Sequence, residues 1–214
     1  MSRRLTAADR SRLIRLASTM PVDSPERKAI LSGLTRTASD SANVLGAYNA
    51  EVSGNAKVFG NAQVGGHALV YDNATLDGEA YVFGEARVYN SAQVSGYAKV
   101  YNFAEVFGNA EVSGNAQVSD NAKVDGQAKV SGNARVSGYA KVSGNAHVSG
   151  KARVGVHAKV SGNAHVSGEA ILFGDAKLSG NAKVYATAVI LGGVWDGSEG
   201  EILSGRWLAP GVPA

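Results

Sequence analysis

The sequence predicts an all-β solenoid, a chain wound into a three-sided column of stacked coils, on three observations. Between Ala50 and Gly193 the hexad Ala-x-Val-x-Gly-Asn recurs 24 times without an insertion. Alanine holds its place in all 24 hexads and valine in 20, with Leu76, Leu172, Leu178 and Ile190 in the others. Glycine holds the fifth place in 18, often with asparagine after it, as at Asn55, Asn61, Asn109, Asn115, Asn133, Asn145 and Asn163. Self-similarity at a fixed short period is the mark of a repeat architecture. Two apolar residues separated by one outward residue alternate as a strand does, not as a helical stripe. Glycine and asparagine accept positive φ at low cost, which makes the end of each hexad a corner. Three hexads per turn give coils of 18 residues and eight coils in the array, a prism about 38 Å long at the parallel strand spacing.

Residues 1–40 follow another pattern. Thr6 with Asp9 reads as a capping box, and Leu13, Ile14, Ala17 and Met20 follow at helical spacing until Pro21. Ser24-Pro25 opens a second helix, with Ile30 and Leu31 before a stop at Gly33. The expectation is an N-terminal helical hairpin. Eight Arg or Lys against four acids give it a charge of +4. Such a surface suits a solvated cap over the first coil's edge, or a docking peg for an acidic or nucleic-acid partner.

The junction that follows contains Ala42 and Val44, which begin the alternation two places out of phase with the array. A short irregular turn is therefore expected before the first full coil. The array segment is taken as residues 41–193 and the C-terminal cap and tail as 194–214. Trp195, Ile202, Leu203 and Trp207 are expected to close the last coil, with Pro210 to Ala214 trailing.

Within the array, residues 18 apart fall into vertical columns, so the outward surface can be read from the sequence. Tyr71, Tyr89 and Phe107 make one column, Phe83 and Tyr101 another, and Phe103 stands on the corner between those two faces. Nine aromatics lie between residues 50 and 120 but only three between 121 and 185, so the lower half carries a one-sided patch that calls for a covering partner. Those six residues are the candidate partner-binding set. The N-terminal helices, sister subunits or another protein could cover them; a plain stacked ladder that only stabilises the sheet is the simplest account.

Charge divides the same two halves. Residues 50–120 carry three basic side chains against eight acids, a net of −5, and residues 121–185 carry nine against three, a net of +6. Lys123, Lys141, Lys159 and Lys177 share one column, a candidate anion-binding ladder for nucleic-acid phosphates or an acidic glycan. No aromatic residues alternate with the lysines to stack bases, and lysines splayed into solvent also guard a prism against edge-to-edge sticking.

The valine-centred reading V-S-G-N-A-K, aliphatic-x-Gly-Asn-small-x, resembles the hexapeptide repeat of the left-handed parallel β-helix superfamily. That superfamily includes bacterial acyltransferases and γ-class carbonic anhydrases. The resemblance covers Ala50 to Gly193 and implies left-handed winding, an exception to the usual crossover preference, and association as a homotrimer. A γ-class zinc site draws three histidines from faces that meet between subunits. Here His147 and His165 share a column, His157 lies on a corner of another face and His67 is five coils away from it, so that arrangement is not reproduced and no metal site is expected. The acyltransferases use an acyl-thioester donor and a histidine near a loop that interrupts the coils. This array has no such loop in 144 residues, and smooth coils offer little irregular backbone on which polar groups converge.

The absence of cysteine excludes disulfides and thiol chemistry, which suits a cytosolic protein or a virion component. The opening MSRRLTAADR has positive charge but no apolar run behind it, so a secretory signal is not expected, and no segment is long and apolar enough to span a membrane. The functional expectation is a non-catalytic spacer or assembly module with no cofactor, working within a large complex such as a bacteriophage particle. The alternative is a hexapeptide acyltransferase.

Overall fold

A computed structural model describes residues 43–44, 50–210 and 212–213. The expected helical hairpin of residues 1–40 lies outside them. The described chain is an all-β parallel solenoid of about nine turns. Two-residue strands, one per hexad, fall into three sheets that form the three sides. Face 1 starts at Glu51–Val52, face 2 at Lys57–Val58 and face 3 at Gln63–Val64, and each strand pairs with the one 18 residues on, as Glu105 does with Lys123 and Val106 with Val124.

The core follows from the hexad. The valine and leucine side chains of the third place, from Val58 to Ile190, and the alanines of the first place from Ala62 to Ala188 are at most 2% exposed. Each buried valine contributes about 1.5–3 kcal/mol. Each coil touches only its neighbours, so the stack is stable as a whole while a single coil is not.

Hydrogen bonds run up the column on every side: Lys57 N–H donates to Ala74 O at 2.8 Å and Phe59 N–H to Leu76 O at 2.9 Å. The ladder continues through the corners, where Asn61 N–H donates to Gly78 O at 2.8 Å. Each corner is also a tight turn, as where Ala56 N–H donates to Ser53 O at 3.3 Å across Gly54. Every fifth-place residue from Gly54 to Ala186 has positive φ, including Asp72, Asn90, Asn102, Asp120 and, against the steric preference of a β-branched side chain, Val156 at 59°. Glycine suits the place for a second reason: a Cβ on Gly78 would stand 3.1 Å from the backbone N and O of Gly96 one coil above.

Both ends depart from the period. Asn43 pairs with Gln63 at a separation of 20, the two-place phase shift that the junction sequence implies. At the other end the chain continues winding where a cap was expected. Val194–Trp195, Glu201–Ile202 and Arg206–Ala209 add a ninth coil, with Trp195, Ile202 and Trp207 at the valine places. Trp195 is buried and meets Trp207 edge to face at 6.3 Å. Val212–Pro213, expected in the tail, returns antiparallel along Arg206–Ala209 and covers that edge.

Candidate interaction surfaces

Strand alternation sends the residues on either side of each valine outward, and stacking at 18 residues lines them into columns. On face 1 this puts Tyr71, Tyr89 and Phe107 in one pile, with ring centroids 5.0 Å apart at both steps and planes within 2° and 4° of parallel. Rings piled along the axis cover one another's faces and present their edges. They form a half-buried apolar rib, and the flat face that a sugar or base would stack on is already occupied.

The rib has a polar flank. The Tyr89 hydroxyl donates to Glu105 Oε2 at 3.3 Å, and Glu105 Oε1 accepts from Lys123 Nζ at 3.3 Å. Burial, then the Glu105 carboxylate, pushes the Tyr89 phenol up to about 12. The Tyr71 phenol is raised as well, by burial first, with Arg87 opposing.

Of the other aromatics singled out, Phe83 and Tyr101 share a column on face 3, where Val82 pairs with Val100. Phe83 stacks on Tyr81 of its own strand at 5.4 Å, since residues two apart on a strand share a face. Phe103 stands on the corner between faces 3 and 1, 55% exposed. Tyr97 and Tyr139, which column reading passed over, are the most exposed, both at 64%. Tyr139 stacks on His157 at 5.4 Å, a pair whose 18-residue spacing could have revealed it.

The four lysines lie in register on face 1, as Lys123 with Lys141, Lys141 with Lys159 and Lys159 with Lys177. The lower two are neutralised within the chain, Lys123 by Glu105 at 3.3 Å and Lys141 by Asp125 at 3.1 Å. Lys159 and Lys177 have no ion pair among the described residues. Exposed pairs of this kind contribute little stability each, but they remove most of the repulsion a bare ladder would carry.

His147 and His165 stack on face 2 with centroids 5.1 Å apart and planes tilted by 55°. Burial, then the neighbouring His165 and Lys129, lowers the His147 pKa. Among the described residues no three His, Cys, Asp or Glu come together as metal ligands. An open trough of about 480 Å3 runs along the edge between faces 1 and 2, lined by Asn109, Glu111, Gln127, Lys129, Asn145 and His147. Along its face 2 wall Lys129 Nζ pairs with Glu111 Oε2 at 3.0 Å.

Compared with known proteins, the chain matches no protein-family model and no curated protein.

Proposed function

We propose that this chain is a non-catalytic structural protein, a stiff β-solenoid that holds other components of a large assembly at a fixed separation. The observation that supports the reading most is the unbroken 18-residue register from Glu51 to Val189, with chemical variety confined to outward places. A prism of this kind resists bending, because every coil is hydrogen-bonded to its neighbours on three sides. Contact falls to the lower half, where Tyr71, Tyr89 and Phe107 form the rib and Phe83, Tyr101 and Phe103 extend it around the corner. The exposed lysines Lys159 and Lys177 suit an acidic surface, a nucleic acid or an acidic glycan. Sister copies and other proteins of an assembly such as a bacteriophage particle are both fitting partners. A parallel homotrimer would set three positive upper halves side by side, so that arrangement needs salt or a polyanion to hold it.

The test is the mass of the intact complex from its native source, with light scattering on a Tyr89→Ser/Phe107→Ser variant. The expected outcome is a particle heavier than the chain, lightened or weakened by the double substitution. Turnover of an acyl thioester would overturn the reading in favour of an acyltransferase, with the trough beside His147 as the place to look.

A further inference from the structure

Face 1 changes character along its length. Read upward, the outward place after each valine or leucine of the core holds Ser53, then Tyr71, Tyr89 and Phe107 in the lower half, and Asp125, then Ser143, Ser161 and Ser179 in the upper half. The place before each valine has Glu51 at its foot and Lys159 and Lys177 towards its head. Large side chains in one half of a column thus correspond to small ones in the other, and acid corresponds to base. In the middle of the face Glu105 pairs with Lys123 and Asp125 with Lys141 within the chain, while Arg87 has no ion pair among the described residues. At the ends Glu51, Lys159 and Lys177 have no ion pair among the described residues.

We propose that face 1 packs against face 1 of a second copy lying antiparallel to it, about a twofold axis that runs along the strands midway between Glu105 and Lys123. The proposal rests on the reading of the rib as a contact surface and names its occupant. This operation leaves each column facing itself in reverse order. Lys177 then lies opposite the second copy's Glu51, and Glu105 opposite its Lys123. Tyr71 lies opposite Ser161 and Tyr89 opposite Ser143, so two of the rib's three rings enter the gap that the short serines leave, while Phe107 meets Asp125 beside its ion pair with Lys141. Leu69 meets the methylene stem of Lys159. The one like-charged meeting, Arg87 with Lys141, is flanked by Glu105 and by Asp125, which holds Lys141 at 3.1 Å. Counted over all three faces, a parallel pairing would set a half of net −5 against −5 and a half of +6 against +6, whereas the antiparallel one sets halves of opposite net charge together. The eight strands of face 1 that overlap, from Glu51–Val52 to Lys177–Leu178, present roughly 500 Å2 of flat face per copy at about four residues each. That is the low end for a specific interface, so the pair forms in a concentration-dependent way.

The test is sedimentation equilibrium of the full chain over a range of concentrations, at low and high salt. Glu51→Lys and Lys177→Glu each reverse an exposed charge without touching the core. Each is expected to weaken the dimer by about tenfold or more, and the double variant to restore it. Cysteine placement gives an independent readout against a cysteine-free background. Ser53→Cys mixed with Ser179→Cys is expected to be joined by a short bismaleimide that spans the sheet spacing of about 10 Å, too wide for a direct disulfide, and Ser53→Cys alone is not. A monomer at every concentration, single reversals without effect, a charge swap that fails to rescue, or self-linking of Ser53→Cys would each overturn the proposal. A monomeric wild type that still loses a heterologous partner on Tyr89→Ser/Phe107→Ser would sink the pair and leave the assembly role standing.

Discussion

Asp72 is tied to Asn90 one coil above it: Asp72 Oδ2 accepts the Asn90 backbone N–H at 3.1 Å and the Asn90 side-chain amide at 3.0 Å. Both residues occupy the positive-φ corner, where the N–H has no backbone acceptor; the Asp72 carboxylate supplies one for Asn90, and the Asn90 side-chain oxygen in turn accepts from Gly108 N–H at 3.4 Å. Asp120 does the same for Gly138 N–H at 3.0 Å. Asp72→Ala should lose this bond and keep an unfavourable φ, costing about 1–2 kcal/mol. Asp72→Gly should cost less, because only the bond is lost. Thermal unfolding followed by circular dichroism would rank the two, and an Ala variant as stable as wild type would refute the account.

Val156 sits at the same corner with φ of 59° and no side-chain acceptor to compensate. Left-handed backbone costs a β-branched residue about 1–2 kcal/mol, partly offset in Val156→Gly by glycine's freedom in the unfolded chain. A net gain of about 1 kcal/mol should raise the melting temperature by about 2–4 °C. A lower melting temperature would mean that the valine makes a contact worth more than its strain.

Val106 is fully buried between coils. Val106→Asp would place an unpaired charge in a dry interior, at a cost of several kcal/mol. Because the array is held by nearest neighbours, the two halves should come apart at this point, with protease cleavage near residue 106 appearing before global melting. Unchanged melting would contradict the inward assignment.

The lowered pKa of His147 makes stability depend on pH. The unfolded chain takes up this proton more readily than the folded one. The contribution is therefore present above the unfolded value of 6.5 and is lost as pH falls from there toward the folded pKa. Between neutral and mildly acidic pH, wild type should lose more melting temperature than His147→Gln. His165→Gln should also reduce the slope, by removing the neighbouring charge. Equal slopes in all three proteins would show that the imidazole pair is not responsible.

The hexad made the regular part of the fold legible. It gave the coil length, the inward alanine and valine, the piled rings of face 1 and even the phase slip at Asn43. The last coil was hidden because Trp195, Ile202 and Trp207 are spaced by seven and five residues rather than six. The surface was legible only along columns. Tyr89 reaches Glu105 and Lys141 reaches Asp125 across 16 residues, from one column to the next, where side chains lean over the backbone that separates them. Register fixes which residues stack, so Lys123 above Glu105 could be read from spacing, but the lean of a long side chain depends on what stands beside it, and the pairing of Lys141 with Asp125 could not.

The constant 18-residue register also sets how such a chain can change length. Loss of three hexads shortens the rod by one layer, about 4.8 Å, and leaves everything beyond the cut on its original bearing. Loss of a single hexad keeps every strand paired but turns the distal portion by a third of a revolution, which would carry the lysines away from the side that holds the aromatic rib. Reach and orientation are thus coupled through arithmetic modulo three, and only deletions or duplications of whole layers would preserve the alignment of the two ends.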